Sequence, residues 1–501
     1  MPDTLPEARR VLLRFTMMES IPFPLTIYLT DAPVSSEILI CQTLMRHVPG
    51  RRMVCRAEWE GAPVAVKLLF DKHRSKRHWL RQERGICALM TRNVFLPLPV
   101  YSGRYQSDRM YPPNGYCVVF RFVAEAITLE EAWRASETPE EQKQLLEQVI
   151  PMLASLHEKG VIQSDLHLKN FLLQGTKMHL LDYDSISVSN EPLGKQISLT
   201  NLGLFFAQFP PWFDGWVNDL VKVYASSRGW QNVEAGASFL LRIVDKCRKR
   251  RARRVLKKIF RESSSYCFLK EWNLNAVYSR SLCFGNGAAL VRNPDALISE
   301  EERGNLKKGN TSTVTAAMVS GEPLVIKRYN IKNLFHGFSR SLRPSRAARS
   351  WENAHRLALL DIATAPPQAF IEKRIGPIRR ESFFITSLVK GENCLRFFHN
   401  DGISPAEQVR VAEKIAALFR LLARYRISHG DLKATNILIA ADSVILIDLD
   451  AMREHRFLSS FQKAFQADLR RFLKNWDELP DVKRLFANTL ADLLATYHCL
   501  K

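Results

Sequence analysis

At 501 residues, 46% of them hydrophobic, the chain can bury two substantial cores, and it contains no run of about 18 apolar residues that would span a bilayer as a helix. Its net charge of +21 exceeds what a nucleotide site needs and points to an extended anionic partner. Nine cysteines, spread from Cys41 to Cys499 with no C-x-x-C pair, exclude a disulfide framework and a zinc pattern, so reduced and mostly packed thiols are expected.

The start, Met1-Pro2-Asp3 to Arg9-Arg10, places acids and prolines where a secretory signal carries a basic and then an apolar segment, and residence in the cytosol is expected. Residues 1–45 read as a leader with no assignable role. Two apolar runs, Met53–Trp59 and Val64–Phe70, flank Glu60-Gly61-Ala62-Pro63 and predict a hairpin. Lys67 sits inside the second run, where an unpaired ammonium is costly, so a carboxylate or a bound phosphate is expected beside it. Glu83, in the helix-compatible segment His78–Arg84, is the candidate partner, and Lys67 with Glu83 reads as a phosphate clamp. Taken alone, that pair is equally a strand lysine reaching solvent beside an unrelated glutamate.

Cys117–Phe122 predicts a strand leading to a hinge. Leu145, Leu146, Val149, Ile150, Leu153 and Leu156 fall at helical spacing and predict an amphipathic helix ending at His157–Gly160. Between Lys246 and Arg261 there are ten Lys or Arg and no acid, punctuated by Val255, Leu256, Ile259 and Phe260, which predicts a basic helix. A solvated helical face and an electrostatic contact with phosphorylated glycolipid or an anionic leaflet are the two readings of it. Nucleic acid is not expected, because the run lacks interleaved aromatics and no helix-turn-helix or zinc motif accompanies it.

The second half repeats the plan. Leu306–Val314, a turn at Gly321-Glu322-Pro323 and the strand Leu324–Tyr329 put Lys327 in the place of Lys67, and Ser350–Arg356 offers Glu352 as its partner. Val409, Ala412, Ile415, Ala416, Phe419 and Leu422 draw a helix before His429-Gly430-Asp431. The expected domains are 1–265 and 266–501, with the boundary uncertain by about 20 residues.

The chemistry lies in a duplication. Asp165, Asn170 and Asp182 recur 266 positions later as Asp431, Asn436 and Asp448, each time as D-L-x-x-x-N followed by an apolar strand and an Asp. A lone D-L-x-x-x-N is a common turn sequence, but the whole ordered set occurring twice is the core of a kinase-like phosphotransferase. The fold expected is α+β, with two tandem protein-kinase-like, bilobal domains. Asp165 and Asp431 orient the acceptor hydroxyl; Asn170 with Asp182, and Asn436 with Asp448, hold Mg²⁺ through the oxygen ligands it prefers; Lys67 and Lys327 contact the phosphates of ATP. Neither half has a G-x-G-x-x-G loop, Ser164 or Gly430 replaces the arginine before the catalytic Asp, and Tyr183-Asp184 or Leu449-Asp450 replaces Phe-Gly. These departures favour small-molecule or glycan phosphorylation over regulated protein phosphorylation.

His429-Gly430-Asp431-Leu432, Asp448-Leu449-Asp450, Val325–Tyr329 and Arg343–Glu352 make the second half resemble the bacterial lipopolysaccharide core kinase family, and Arg77–Glu83, Gly85 and Ser164–Asn170 make the first half similar to it. The resemblance implies ATP and Mg²⁺ as cofactors and a heptose or Kdo hydroxyl of the lipopolysaccharide inner core as acceptor. It also implies work at the cytoplasmic face of the inner membrane. Two other functions compete with it. One is a small-molecule kinase resembling aminoglycoside phosphotransferases, which share the H-G-D-L string but act on cations, against the net positive charge. The other is a pseudokinase scaffold in envelope assembly, for which the first half is the better candidate.

Overall fold

The structure, a computed structural model, describes residues 23–30, 37–231, 236–263, 265–283, 287–299, 305–308, 311–330, 344–441 and 443–497. It divides into two units, Met1–Lys249 and Arg250–Lys501, each mixing helix and strand.

In the N-terminal unit, β1 (Leu25–Leu29), β2 (Ile38–Val48), β3 (Arg52–Trp59), β4 (Ala62–Leu69), β5 (Pro99–Ser107) and β6 (Gly115–Arg121) close into a barrel in the order β1-β2-β3-β4-β6-β5. Closure leaves no unpaired edge. Alternation places Met53, Cys55 and Ala57 of β3 and Val64, Val66 and Leu68 of β4 inside. The expected hairpin turns at Glu60-Gly61, both at positive φ (52° and 70°), as two-residue turns matched to strand twist require. The leader expected over residues 1–45 is corrected: β1 and most of β2 lie within it and complete the barrel, with Leu25, Ile27, Leu39 and Cys41 in its core. Residues 1–22 lie outside the described residues.

Helix α1 (Ser75–Met90) follows β4. Helix α2 (Pro139–Glu158) starts where the Thr138 side chain accepts from the Glu141 N–H and Pro139 takes the first turn, and it buries Leu146, Val149, Ile150, Leu153 and Leu156. It stops at Gly160, whose φ of +70° and whose approach to Ser189 O, 2.4 Å from where a Cβ would sit, admit no side chain. The chain then enters the loop of Asp165 and Asn170. A short antiparallel hairpin, Phe171–Gln174 with Lys177–Leu180, returns it to Asp182. Helix α3 (Lys195–Phe206) packs beneath, and α4 (Gly236–Lys258) carries the basic run.

The division falls inside α4, ahead of the boundary expected near residue 265. Leu240 and Val244 are buried in the N-terminal core, whereas Leu256 and Ile259 belong to the C-terminal one. The basic run is not uniformly solvated: Arg248 is buried, its guanidinium bound to both Asp214 oxygens at 2.6 and 3.0 Å and to Phe209 O at 2.9 Å. Lys246, Arg250, Arg253, Arg254, Lys257, Lys258 and Arg261 are exposed.

In the C-terminal unit, β7 (Tyr266–Lys270), β8 (Leu274–Ser279), β9 (Asn305–Lys308), β10 (Ser312–Val319), β11 (Glu322–Tyr329), β12 (Pro367–Ile375) and β13 (Ile378–Ser387) form one antiparallel sheet in the order β7-β8-β12-β13-β11-β10-β9. Helix α5 (Arg346–Ala358) packs on it, burying Trp351 and Leu357. Helices α6 (Pro405–Arg424) and α7 (Leu458–Lys474) flank the loop of Asp431. Gly309 and Asn310, in the predicted opening of this half, and Arg343 lie outside the described residues.

Candidate active site

In the C-terminal unit, pairing sets Lys327 of β11 between Val314 of β10 and Phe384 of β13, and its ammonium bonds Asp448 Oδ1. Asp448 adopts left-handed backbone, φ 63°, after the hairpin Ile437–Ala440 and Ser443–Leu446. The Ile447 N–H donates to Asn436 O at 3.0 Å, and Asn436 Nδ2 donates to Asp431 O at 2.8 Å, so the three motif residues are fixed to one another through the backbone. Lys327, Asn436 and Asp448 share the wall of a cleft of about 490 Å³ with the apolar Val314, Val325 and Phe384. That size suits a small-molecule site. Burial would raise the Asp448 carboxyl, but the attraction of Lys327 outweighs it and holds the group below the usual carboxylate range.

Asp431 is half-buried. Arg471 Nη1 of α7 donates to its Oδ1 at 2.7 Å, and Lys433 Nζ lies 3.1 Å away. The loop is anchored from below, because Asp468 of α7 accepts the backbone N–H groups of His429 (2.6 Å) and Gly430 (2.9 Å). Burial pushes the Asp468 carboxyl up against those bonds.

The N-terminal unit assembles the matching residues in another way. Lys67 Nζ donates to Asp182 Oδ1 at 2.7 Å, Gln82 Nε2 donates to the same oxygen at 3.0 Å, and Arg52 Nη1 lies 3.6 Å from Oδ2. Asp182 again has left-handed backbone, φ 62°, and the Leu181 N–H donates to Asn170 O at 2.7 Å. Asn170 is buried, its Nδ2 donating to Asp165 O at 2.8 Å, and Asp165 is exposed with His167 at 3.7 Å. Burial would raise the Asp182 carboxyl, but Lys67 and then Arg52 hold it well below the usual carboxylate range. Two adjoining clefts of about 220 and 240 Å³ share Arg52, Gln82 and Asp182.

Glu83 and Glu352 are corrected. No ion pair joins Lys67 to Glu83 or Lys327 to Glu352 among the described residues, and each lysine takes the Asp after its loop instead. Helix rotation is the reason. In α1, Gly85 lies against Tyr183, whose O is 2.0 Å from where a Cβ would sit, and Gln82, three residues earlier on the same face, turns toward Asp182. In α5, buried Asn353 donates to Leu449 O and Met452 O, both at 2.9 Å, while Glu352 points aside to Arg356 at 2.7 Å.

Several residues were missed by sequence reasoning: Arg52, Gln82, Asp468, Arg471, and the pairs His78–Asp184 (3.5 Å) and Arg346–Asp450. The second Asp of each Asp-x-Asp string was a usable signal, since Asp184 meets His78 in the first turn of α1 and Asp450 meets Arg346 at the start of α5.

No group of three or more His, Cys, Asp or Glu side chains converges on one point among the described residues. One carboxylate and one amide oxygen on the wall of a cleft, as Asp448 and Asn436 offer, is a donor set that fits Mg²⁺, which takes few protein ligands and fills its sphere with water and phosphate. No helix among the described residues is long and apolar enough to cross a membrane.

The model of the lipopolysaccharide kinase (Kdo/WaaP) family matches residues 297–497. None of the curated proteins matches the chain. The matched segment carries Lys327, Asp431, Asn436 and Asp448 in the geometry described above, so the C-terminal unit is similar to the lipopolysaccharide kinases, a family of phosphotransferases.

Proposed function

We propose that the C-terminal unit transfers the terminal phosphoryl group of ATP to a sugar hydroxyl, of heptose or Kdo, in the lipopolysaccharide inner core, and that both units are kinase-like bilobal domains. Lys327 binds the nucleotide phosphates, Asn436 and Asp448 hold Mg²⁺, and Asp431 orients the acceptor hydroxyl for in-line attack. Mg²⁺ held there would supply positive charge to the nucleotide phosphates.

The observation that carries the reading is the joining of Lys327, Asn436 and Asp448 on one cleft, with Asp431 tied to Asn436, inside the segment that matches the family. The cations at Asp431 favour the acceptor class. Arg471 and Lys433 add positive charge where the acceptor enters, which suits a phosphorylated or carboxylated sugar and opposes a cationic aminoglycoside. Work at the cytoplasmic face of the inner membrane follows from a lipid-linked acceptor, and the exposed arginines and lysines of α4 supply an electrostatic contact with it.

The test is transfer from labelled ATP to purified core glycolipid by the full chain, with mass analysis of the product sugar. A product bearing one added phosphate on heptose or Kdo is expected; phosphorylation of an aminoglycoside with the glycolipid left untouched would replace this reading by the small-molecule one. A scaffold role is favoured only for the N-terminal unit, whose Asp182 is surrounded by fixed donors.

A further inference from the structure

Both carboxylate oxygens of Asp182 face donors: Oδ1 accepts from Lys67 and Gln82, and Oδ2 faces the Arg52 guanidinium. Among the described residues, Lys327 is the one cation within ion-pair distance of Asp448. The sheet register explains the contrast. β3 pairs with β4 so that Arg52 is opposite Leu69, and β10 pairs with β11 so that Ser312 is opposite Tyr329. Lys67 precedes Leu69 as Lys327 precedes Tyr329, by two residues, so Arg52 and Ser312 hold equivalent positions.

A divalent cation needs lone pairs from its ligands, and Asp182 presents a carboxylate already wrapped by an ammonium, an amide N–H and a guanidinium. Asn170 is buried, whereas its counterpart Asn436 is half-buried. The N-terminal cleft therefore does not fit Mg²⁺. It does fit an anion. Arg46 of β2 lines it beside Arg52 and Lys67, so three cations face the cleft around the single carboxylate of Asp182. Lys169 lines it too, held by Glu130 at 3.2 Å. Beyond the cations the wall is apolar, with Val54, Ala65, Phe120 and Leu172. An apolar slot with cations at one end has the chemistry of a nucleotide site, the slot for the base and the cations for the phosphates.

We propose that the N-terminal unit binds a nucleoside triphosphate without a divalent cation, Arg52 and Lys67 supplying the positive charge, and that it does not transfer phosphate. The inference goes beyond the catalytic reading of the C-terminal unit and rests on the kinase-like reading of the N-terminal one.

The test uses the full chain with Lys327→Ala and Asp448→Ala, so that nucleotide binding reports the N-terminal cleft, titrated with a fluorescent ATP analogue in excess EDTA and again in Mg²⁺. One nucleotide per chain is expected, with the same affinity in both buffers. Arg52→Gln should weaken it at least about tenfold, the loss of one charge-assisted bond to phosphate, and Arg52→Lys should retain most of it. Circular dichroism confirms that the variants fold. Binding that requires Mg²⁺, or binding indifferent to Arg52→Gln, overturns the proposal while leaving the kinase-like fold in place. No binding in either buffer overturns both. None of these outcomes bears on glycolipid transfer by the C-terminal unit, which is read through Asp431.

Discussion

The two units hold the same four residues, Lys67, Asp165, Asn170 and Asp182 against Lys327, Asp431, Asn436 and Asp448, with the same backbone links and the same left-handed Asp, yet surround them differently. In the C-terminal unit the positive charge is gathered at Asp431, through Arg471 and Lys433, and Asp448 keeps one ammonium. In the N-terminal unit it is gathered at Asp182, through Lys67 and Arg52, and Asp165 is left exposed with a histidine. The anchors beneath the loops differ in the same sense: Asp468 accepts two backbone N–H groups, whereas Asn201 in the matching place donates to Gln163 O at 3.0 Å. Retention of a motif therefore says that the backbone is retained, and the neighbours of the carboxylates say which chemistry the motif can support.

The sharpest way to break this comparison is to remove the orienting carboxylates in turn. Asp431→Asn should lower phosphoryl transfer to core glycolipid by about 10²–10⁴-fold while nucleotide still binds. The loss from Asp165→Asn should be smaller by a wide margin; equal losses would make the units equal catalysts. Next in size is Arg248→Ala in the N-terminal unit. Breaking its buried pair with Asp214 should cost about 3–5 kcal/mol, read as a lower urea midpoint for the N-terminal unit.

Acid should weaken both units through a buried histidine. Burial pushes His157 and His355 down to about 4, so each is neutral when folded, while an unfolded histidine takes its proton near pH 6.5. Their contributions are complete above about pH 6.5 and are lost as pH falls toward 4, by up to about 3 kcal/mol each. His355 sits against Tyr266 and Trp351, so His355→Phe should flatten the pH dependence of the C-terminal unit at little cost. His157→Phe should cost stability at every pH, because Tyr224 Oη and Asn201 Oδ1 each lose a buried hydrogen bond. The smallest effect is expected of Glu352→Gln: a change of about 0.5 kcal/mol or less, that of a helical ion pair, and no loss of nucleotide affinity. Abolished nucleotide binding would restore the clamp with Lys327.

The amino-acid sequence by itself determined the α+β class, the hairpins that carry Lys67 and Lys327, the helices that precede the two loops, and the ordered set of Asp and Asn. These are local: period-two and helical spacing, turn residues and a duplicated string each act over a few residues. The strands of the leader were not legible, because β2 turns Ile38, Ile40 and Leu44 outward, so apolar residues on both faces hide the alternation. The side of α1 and α5 that faces the site was not legible either, since moving one residue along a helix turns the side chain by about 100°. Only the tertiary structure decided it, by setting Gly85 against Tyr183 and Asn353 under Leu449. The same holds for Arg52, which looks like a surface residue of a basic chain until the register of β3 on β4 brings it to Asp182. Charge on a side chain is written in the sequence, but which charge it meets depends on strands and helices far apart in the chain, and that meeting separates the two sites.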